Sequence, residues 1–260
     1  MKKRLITVSI CAIVVLIAAL AAGLNAVFSV HTVDVTFHAF TKSGFDEAAE
    51  IQEKLDAFAG ESTTFLDLEE VEAVVEEYPS FRVDKIAKVY PQKIALVLTE
   101  RKETFAVEGE NGFSIYDEEG VLVAVKEENV NRVDGGKNVL LQGFELLGDV
   151  GATASGYRMR ELLDTISAFD EAFGEVRMNL VSVKLVVPLA DDVRTEYFEI
   201  QTAEGVVIRI NNPSYLAKEK GEKAAKAYLA LDEEKRAYGT IPVFDYITTG
   251  EIPDPVHESD

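Results

Sequence analysis

The chain has 260 residues, enough for a membrane anchor plus two modest domains. Its formal charge of −20 makes a surface that repels nucleic acid and anionic lipid headgroups, which excludes both as electrostatically held partners. A single cysteine, Cys11, excludes an internal disulfide, so the 47% hydrophobic content must build the core unaided.

The first element is a run without charge. Residues 5–30 contain no Asp, Glu, Lys or Arg, and Lys2, Lys3 and Arg4 stand directly before them. At a rise of about 1.5 Å per residue, a helix of this length covers a hydrocarbon core of about 30 Å. In lipid the backbone satisfies itself only as a helix or a closed barrel. Cations before the run and none shortly after it hold the N-terminus in the cytoplasm. A cleaved secretory signal shares the charged start and the Ala-rich end. Its apolar core, however, spans only about 7–15 residues, and no clean small-x-small site is followed by an obvious mature start. The expectation is a cytoplasmic tail over 1–4, a retained transmembrane helix over 5–29, and a type II protein whose bulk lies outside the cytoplasm. Ala19 and Gly23 form a small-xxx-small pair that could seat a second helix, although lipid-facing filler is the simpler reading. Cys11 lacks the small-residue context of a lipoprotein cleavage site.

Residues 33–37 alternate apolar and polar side chains, as a half-buried strand does. Gly44 then opens a helical stretch in which Ala48, Ile51, Leu55 and Phe58 recur at helical spacing, and Gly60 closes it. Val71, Val74, Val75 and Tyr78 make the apolar face of a second helix, which Pro79 stops. Residues 83–89 read as a strand, Tyr90-Pro91 as a turn and residues 94–99 as another strand. The order β-α-α-β-β predicts an α+β domain over 30–101, with two helices on one sheet face.

The remainder, 102–250, reads as a mixed β-sheet domain with two helices. Residues 112–116 and 121–125 flank Asp117-Glu118-Glu119-Gly120, a hairpin with Gly120 in the left-handed position. A loop-rich stretch over 126–156 follows, with an apolar island at 140–147 and no strand order that can be assigned. Met159, Leu162, Leu163, Ile166, Phe169 and Phe173 then form one helical stripe. Strands are expected over 182–187, 196–202 and 206–210, with Gly205 turning the last two. Ala217, Ala224, Ala227, Tyr228 and Leu231 mark a helix over 216–231. Its Lys218, Lys220, Lys223 and Lys226 read as an outward face balanced by Glu219 and Glu222, or as a basic spot for an acidic partner. A closing strand is expected over 239–249, and a frayed tail over 251–260.

These residues resemble a known family. The strand-helix-helix-strand-strand order directly after a single anchor resembles a POTRA domain. Val30-His31-Thr32-Val33-Asp34-Val35 is similar to the first strand of that domain in the FtsQ/DivIB cell-division proteins. Tyr78-Pro79-Ser80-Phe81 resembles their helix-Pro-aromatic step. Lys88-Val89-Tyr90-Pro91 followed by Ile94-Ala95-Leu96-Val97-Leu98 resembles their hairpin. Glu100-Arg101 before Phe105-Ala106 resembles their exit into a second domain, with Thr104 where a proline is common. Thr202 to Ile210, the Lys-rich helix and the final strand resemble that second domain. The resemblance implies a non-enzymatic divisome scaffold at the division septum, binding FtsB/DivIC-like and FtsL-like division proteins and other divisome membrane proteins in support of septal wall synthesis.

Motifs for chemistry are sparse. His31, His38 and His257 are far apart, and no His-Glu-x-x-His or cysteine cluster occurs, so no metal and no cofactor are expected. Neither Gly-x-Ser-x-Gly nor Ser-x-x-Lys nor a phosphate-binding glycine loop is present, which argues against an enzyme. The acidic pairs Glu69-Glu70, Glu76-Glu77, Glu118-Glu119 and Asp191-Asp192 read as solvated charge rather than glycosidase acids. A membrane-anchored cell-wall enzyme and a different POTRA-type assembly or transport factor are the alternatives. The final strand is the candidate site. Ile241, Val243, Asp245 and Ile247 alternate with Pro242, Phe244, Tyr246 and Thr248. A strand at the end of a sheet offers an unpaired edge that can template another chain. The resemblance implies that partners are captured there, at Val243, Phe244, Asp245, Tyr246, Ile247, Thr248 and Thr249. Phe244 and Tyr246 are the anchor candidates, because aromatic side chains dominate interface energetics.

Overall fold

A computed structural model of the chain describes residues 13–17, 23, 27–189, 192–246 and 249–259. The chain is α+β with mixed sheets, and it divides into two compact units, Met1–Glu100 and Arg101–Asp260. Most of the charge-free run expected to cross the membrane, with Cys11 and Ala19, lies outside the described residues. Residues 13–17 are helical, and Ile13, Val14, Val15, Leu16 and Ile17 are each more than half exposed. Among the described residues no helix is long and apolar enough to cross a membrane.

The first unit has the element order its periodicity predicts. Strand β1 (Thr32–His38) leads to helix α1 (Lys42–Leu55), a 3-10 turn (Asp56–Phe58), helix α2 (Leu68–Glu76), and strands β2 (Phe81–Val89) and β3 (Lys93–Glu100). The sheet order is β1-β3-β2. β1 runs parallel to β3, with Val33 opposite Ile94 and Val35 opposite Leu96, while β2 is antiparallel to β3. Ile51 and Leu55 of α1, Val71 and Val75 of α2, and Ile94, Leu96 and Leu98 of β3 fill the space between helices and sheet. Each such side chain contributes roughly 1.5–3 kcal/mol by leaving water.

Both helices start on chemistry visible in the sequence. Asp67 caps α2 by accepting from Glu69 N–H at 3.1 Å. The pair Glu69-Glu70 therefore sits in the first turn, where the helix dipole favours negative charge. Thr41 caps α1, its hydroxyl accepting from Gly44 N–H at 2.9 Å. Behind that cap lies the buried carboxylate of Glu100, at the end of β3. It accepts from Phe40 N–H at 2.7 Å, from Thr41 N–H at 3.0 Å and from the Thr41 hydroxyl. A Cβ at position 44 would stand 2.3 Å from a Glu100 oxygen, so only glycine lets the helix meet the carboxylate this closely.

The second unit is built on an eight-stranded sheet. Its strands are β4 (Phe105–Gly109), β5 (Gly112–Tyr116), β6 (Leu122–Lys126), β7 (Val139–Gln142), β10 (Leu180–Val186), β11 (Tyr197–Thr202), β12 (Val207–Asn211) and β13 (Thr240–Val243), in the order β13-β12-β11-β10-β7-β4-β5-β6. β8 (Leu146–Leu147) and β9 (Ser155–Gly156) form a separate two-residue ladder. The hairpin expected around Gly120 is present, with that residue at φ +79. β7 is the strand the loop-rich stretch concealed. It joins two antiparallel meanders by pairing parallel with β4 on one side and β10 on the other. The polar loop leading to it is tied down by Asn131, which donates to Glu103 O at 2.8 Å and to Asn138 Oδ1 at 2.7 Å. The buried Glu103 carboxylate takes Lys126 Nζ at 2.7 Å.

Helices α3 (Met159–Phe173) and α5 (Ala217–Leu229) pack on one face of this sheet, and the short helices α4 (Val176–Asn179) and α6 (Glu233–Arg236) lead into strands. α3 and α5 approach closely at Gly221, where a Cβ would meet Thr165 O at 2.8 Å. Phe169, Phe173 and Tyr228 form an aromatic chain between them, with ring centroids 5.3 and 5.4 Å apart.

Candidate functional site

β13 is the margin of the eight-stranded sheet. It runs parallel to β12, with Ile208 opposite Ile241 and Ile210 opposite Val243. Ile241 and Val243 are buried in the core, and their alternates Pro242 and Phe244 stand out of it. The inner row of backbone groups serves β12, as Gly239 O does in accepting from Val207 N–H at 3.0 Å. The outer row therefore belongs to Thr240, Pro242 and Phe244. Pro242 has no N–H to offer there, and proline at a sheet margin is a common way of blunting it.

The closing strand is shorter than the alternation predicts, ending at Val243 rather than near residue 249. Beyond it the chain makes a loop of its own. Tyr246 N–H donates to Glu251 O at 2.9 Å, and Gly250 N–H donates to Tyr246 O at 2.6 Å. Of the expected site residues, Val243 is strand and core, while Phe244 and Tyr246 are 41% and 48% exposed. Their rings touch edge to face with centroids 5.8 Å apart. Asp245 points back into the unit, Thr249 lies in the following turn, and Ile247 and Thr248 lie outside the described residues.

The expected frayed tail instead returns to the sheet. Ile252 is buried in the core. Thr240 N–H donates to Glu258 O at 2.9 Å, and Glu258 N–H donates to Thr240 O at 2.8 Å, so the tail covers the first outward position of β13. Gly239 makes this contact possible: at φ +87, it would drive a Cβ to 2.4 Å from Glu258 O.

The lysine row of α5 is not a free basic face. Lys218 pairs with Glu171 of α3 at 2.8 Å, and Lys223 donates to Ile252 O. Lys220 is fully buried. Its Nζ donates to Asn211 O and Asn212 O, both at 2.9 Å, and to the Asp245 carboxylate. Burial lowers its pKa, and the hydrogen bond and charge of Asp245 work in the opposite direction. Spacing carried the missed signal: Ala217, Lys220, Gly221, Ala224 and Tyr228 recur at three to four residues, which puts Lys220 on the buried stripe.

Among the described residues of this unit, the clefts with room for a small molecule include two. One, of about 810 Å³, lies against α3 and α5 and includes Glu161, Asp164, Glu219 and Glu222. The other, of about 630 Å³, lies beside β7 and includes Phe113, Leu140 and Leu180. The pairs Glu69-Glu70, Glu76-Glu77 and Glu118-Glu119 line neither. Among the described residues no group of three or more His, Cys, Asp or Glu is gathered as a metal site would require. No protein-family model matches the chain, and no curated protein matches it either.

Proposed function

We propose that this chain is a non-enzymatic, membrane-anchored adaptor of cell division of the FtsQ/DivIB kind. In this reading the charge-free run tethers both units outside the cytoplasm at the division septum. The first unit is a POTRA domain acting as spacer and docking face. The second unit receives FtsB/DivIC-like and FtsL-like partners at the sheet margin. One observation carries the reading: β13 ends the sheet, and the exposed Phe244 and Tyr246 follow it directly. A partner segment docking there would meet the outward Pro242 carbonyl, next to the position the tail covers, and the two aromatic rings that follow it. The element order of the first unit and the exposed aliphatic residues 13–17 also support it.

The test is photo-crosslinking in dividing cells from positions 242, 244 and 246, with pull-down of FtsL-like and DivIC-like ectodomains by the purified exported part. Adducts of those partners are expected from 244 and 246. Folded protein that retains neither partner at micromolar concentration rejects the reading.

A further inference from the structure

The first unit closes around the very residues where the charge-free run ends. Thr63 N–H donates to Phe28 O at 2.6 Å, and Val30 N–H donates to Glu61 O at 2.7 Å. His31 N–H donates to Gln92 O at 2.8 Å. The 61–66 loop and the 90–92 turn are thereby pinned on either side of residues 28–31. Lys88 Nζ joins the two flanks by donating to Thr64 O at 3.2 Å.

What these flanks present is apolar and aromatic. Phe65 is 87% exposed, Tyr90 58%, Val27 50% and Val89 46%. Tyr90 packs edge to face on Phe28 with centroids 6.4 Å apart. Exposed apolar side chains gathered at one end of a unit mark an interaction surface. This patch is continuous in sequence with a run whose helical residues 13–17 are also exposed aliphatics. Amphipathic aromatic rings beside such a run match the layer where hydrocarbon meets headgroups.

We infer that Phe65, Tyr90, Phe28 and Val89 form a contact with the interfacial layer of the bilayer, setting the end of the first unit against lipid. This rests on the anchor reading of the charge-free run. The exposed Glu61 and Asp67 outnumber Lys88 around the patch, and the chain is strongly acidic, so zwitterionic rather than anionic lipid is its surface.

The chain has no tryptophan, so single-tryptophan variants report one place each. Full-length protein is reconstituted in phosphatidylcholine vesicles with and without acyl-brominated lipid, as Leu16→Trp, Phe65→Trp, Tyr90→Trp and Phe45→Trp. Phe45 is 61% exposed just beyond the far end of β1, whose seven residues span about 20 Å. The expected result is strong bromine quenching at 16, roughly half the fluorescence lost at 65 and 90, and none at 45. Quenching at 16 with 65 and 90 behaving like 45 overturns the contact and leaves the anchor standing. No quenching anywhere removes both, and equal quenching at 45 and 65 overturns the end-on contact. Phe65 is so exposed that its replacement leaves the core intact.

Discussion

Lys220 and Asp245 form an ion pair in which the lysine side chain is fully buried and the aspartate is 9% exposed. The pair connects the first turn of α5 to the loop after β13, and Asp245 lies between the two exposed rings in sequence. Asp245 turned inward leaves Phe244 and Tyr246 turned outward. Removing one partner of a buried pair leaves a charge without its complement, which costs about 3–5 kcal/mol. Lys220→Met is therefore expected to destabilise the protein by that amount in urea unfolding. Lys220→Met with Asp245→Asn should recover part of the loss, and full additivity of the two single changes would contradict the pairing.

Phe244→Ala with Tyr246→Ala should behave in the opposite way. Both rings are well exposed, so the unfolding free energy is expected to stay within about 0.5 kcal/mol of wild type. Partner binding should weaken by at least tenfold in the same preparation. A matching fall in stability would assign the rings to packing instead.

In the first unit, Glu100→Ala should lower stability more than any exposed glutamate substitution. The change leaves the buried N–H of Thr41, and the partly buried N–H of Phe40, without the Glu100 acceptor, at about 1–3 kcal/mol for the buried group. Gly44→Ala is expected to destabilise as well, because its methyl group meets the same carboxylate. In the Glu100→Ala background the added methyl should cost less, and a double-mutant cycle measures that coupling.

Tyr228 supplies a pH dependence. Its pKa is raised from 10.0 to about 12, first by burial and then by its hydrogen bond to Glu204 at 2.5 Å. A raised folded-state pKa means that the unfolded chain loses this proton first. The associated stability, on the order of 2 kcal/mol, is complete below pH 10 and is lost as pH rises towards 12. Lys220 acts with the other sign. Its lowered pKa makes the unfolded chain bind more protons just below 10.5, so its contribution improves as pH approaches that value. Tyr228→Phe should therefore flatten the alkaline fall in stability above pH 10, read by circular dichroism. The wild-type-minus-variant tyrosinate absorbance should titrate near pH 12.

The first unit was legible because its helices and strands carry long, clean periods: Ala48, Ile51 and Leu55 on α1, and Ile94, Leu96 and Leu98 on β3. The second unit was legible only in its long elements. β7 escaped because its four residues, at the start of the apolar island, are too short to carry a period, and only its neighbours on both sides make it a strand. β13 was overextended because apolar-polar alternation continues past Val243, while Gly250 and the hydrogen bonds at Tyr246 bend the backbone away. The tail looked unstructured by composition, yet Ile252 and Glu258 find partners brought near only by the fold. Lys220 has the residue type of an outward cation, and only its position on the α5 stripe places it inside.

Because β7 bonds parallel to both β4 and β10, neither meander can complete the sheet alone. A fragment stopping before residue 180 would leave β7 with a single neighbour and a bare hydrophobic flank. Such pairings between distant parts of the chain slow folding. A chain growing from its N-terminus would thus keep that flank uncovered until its last third is made.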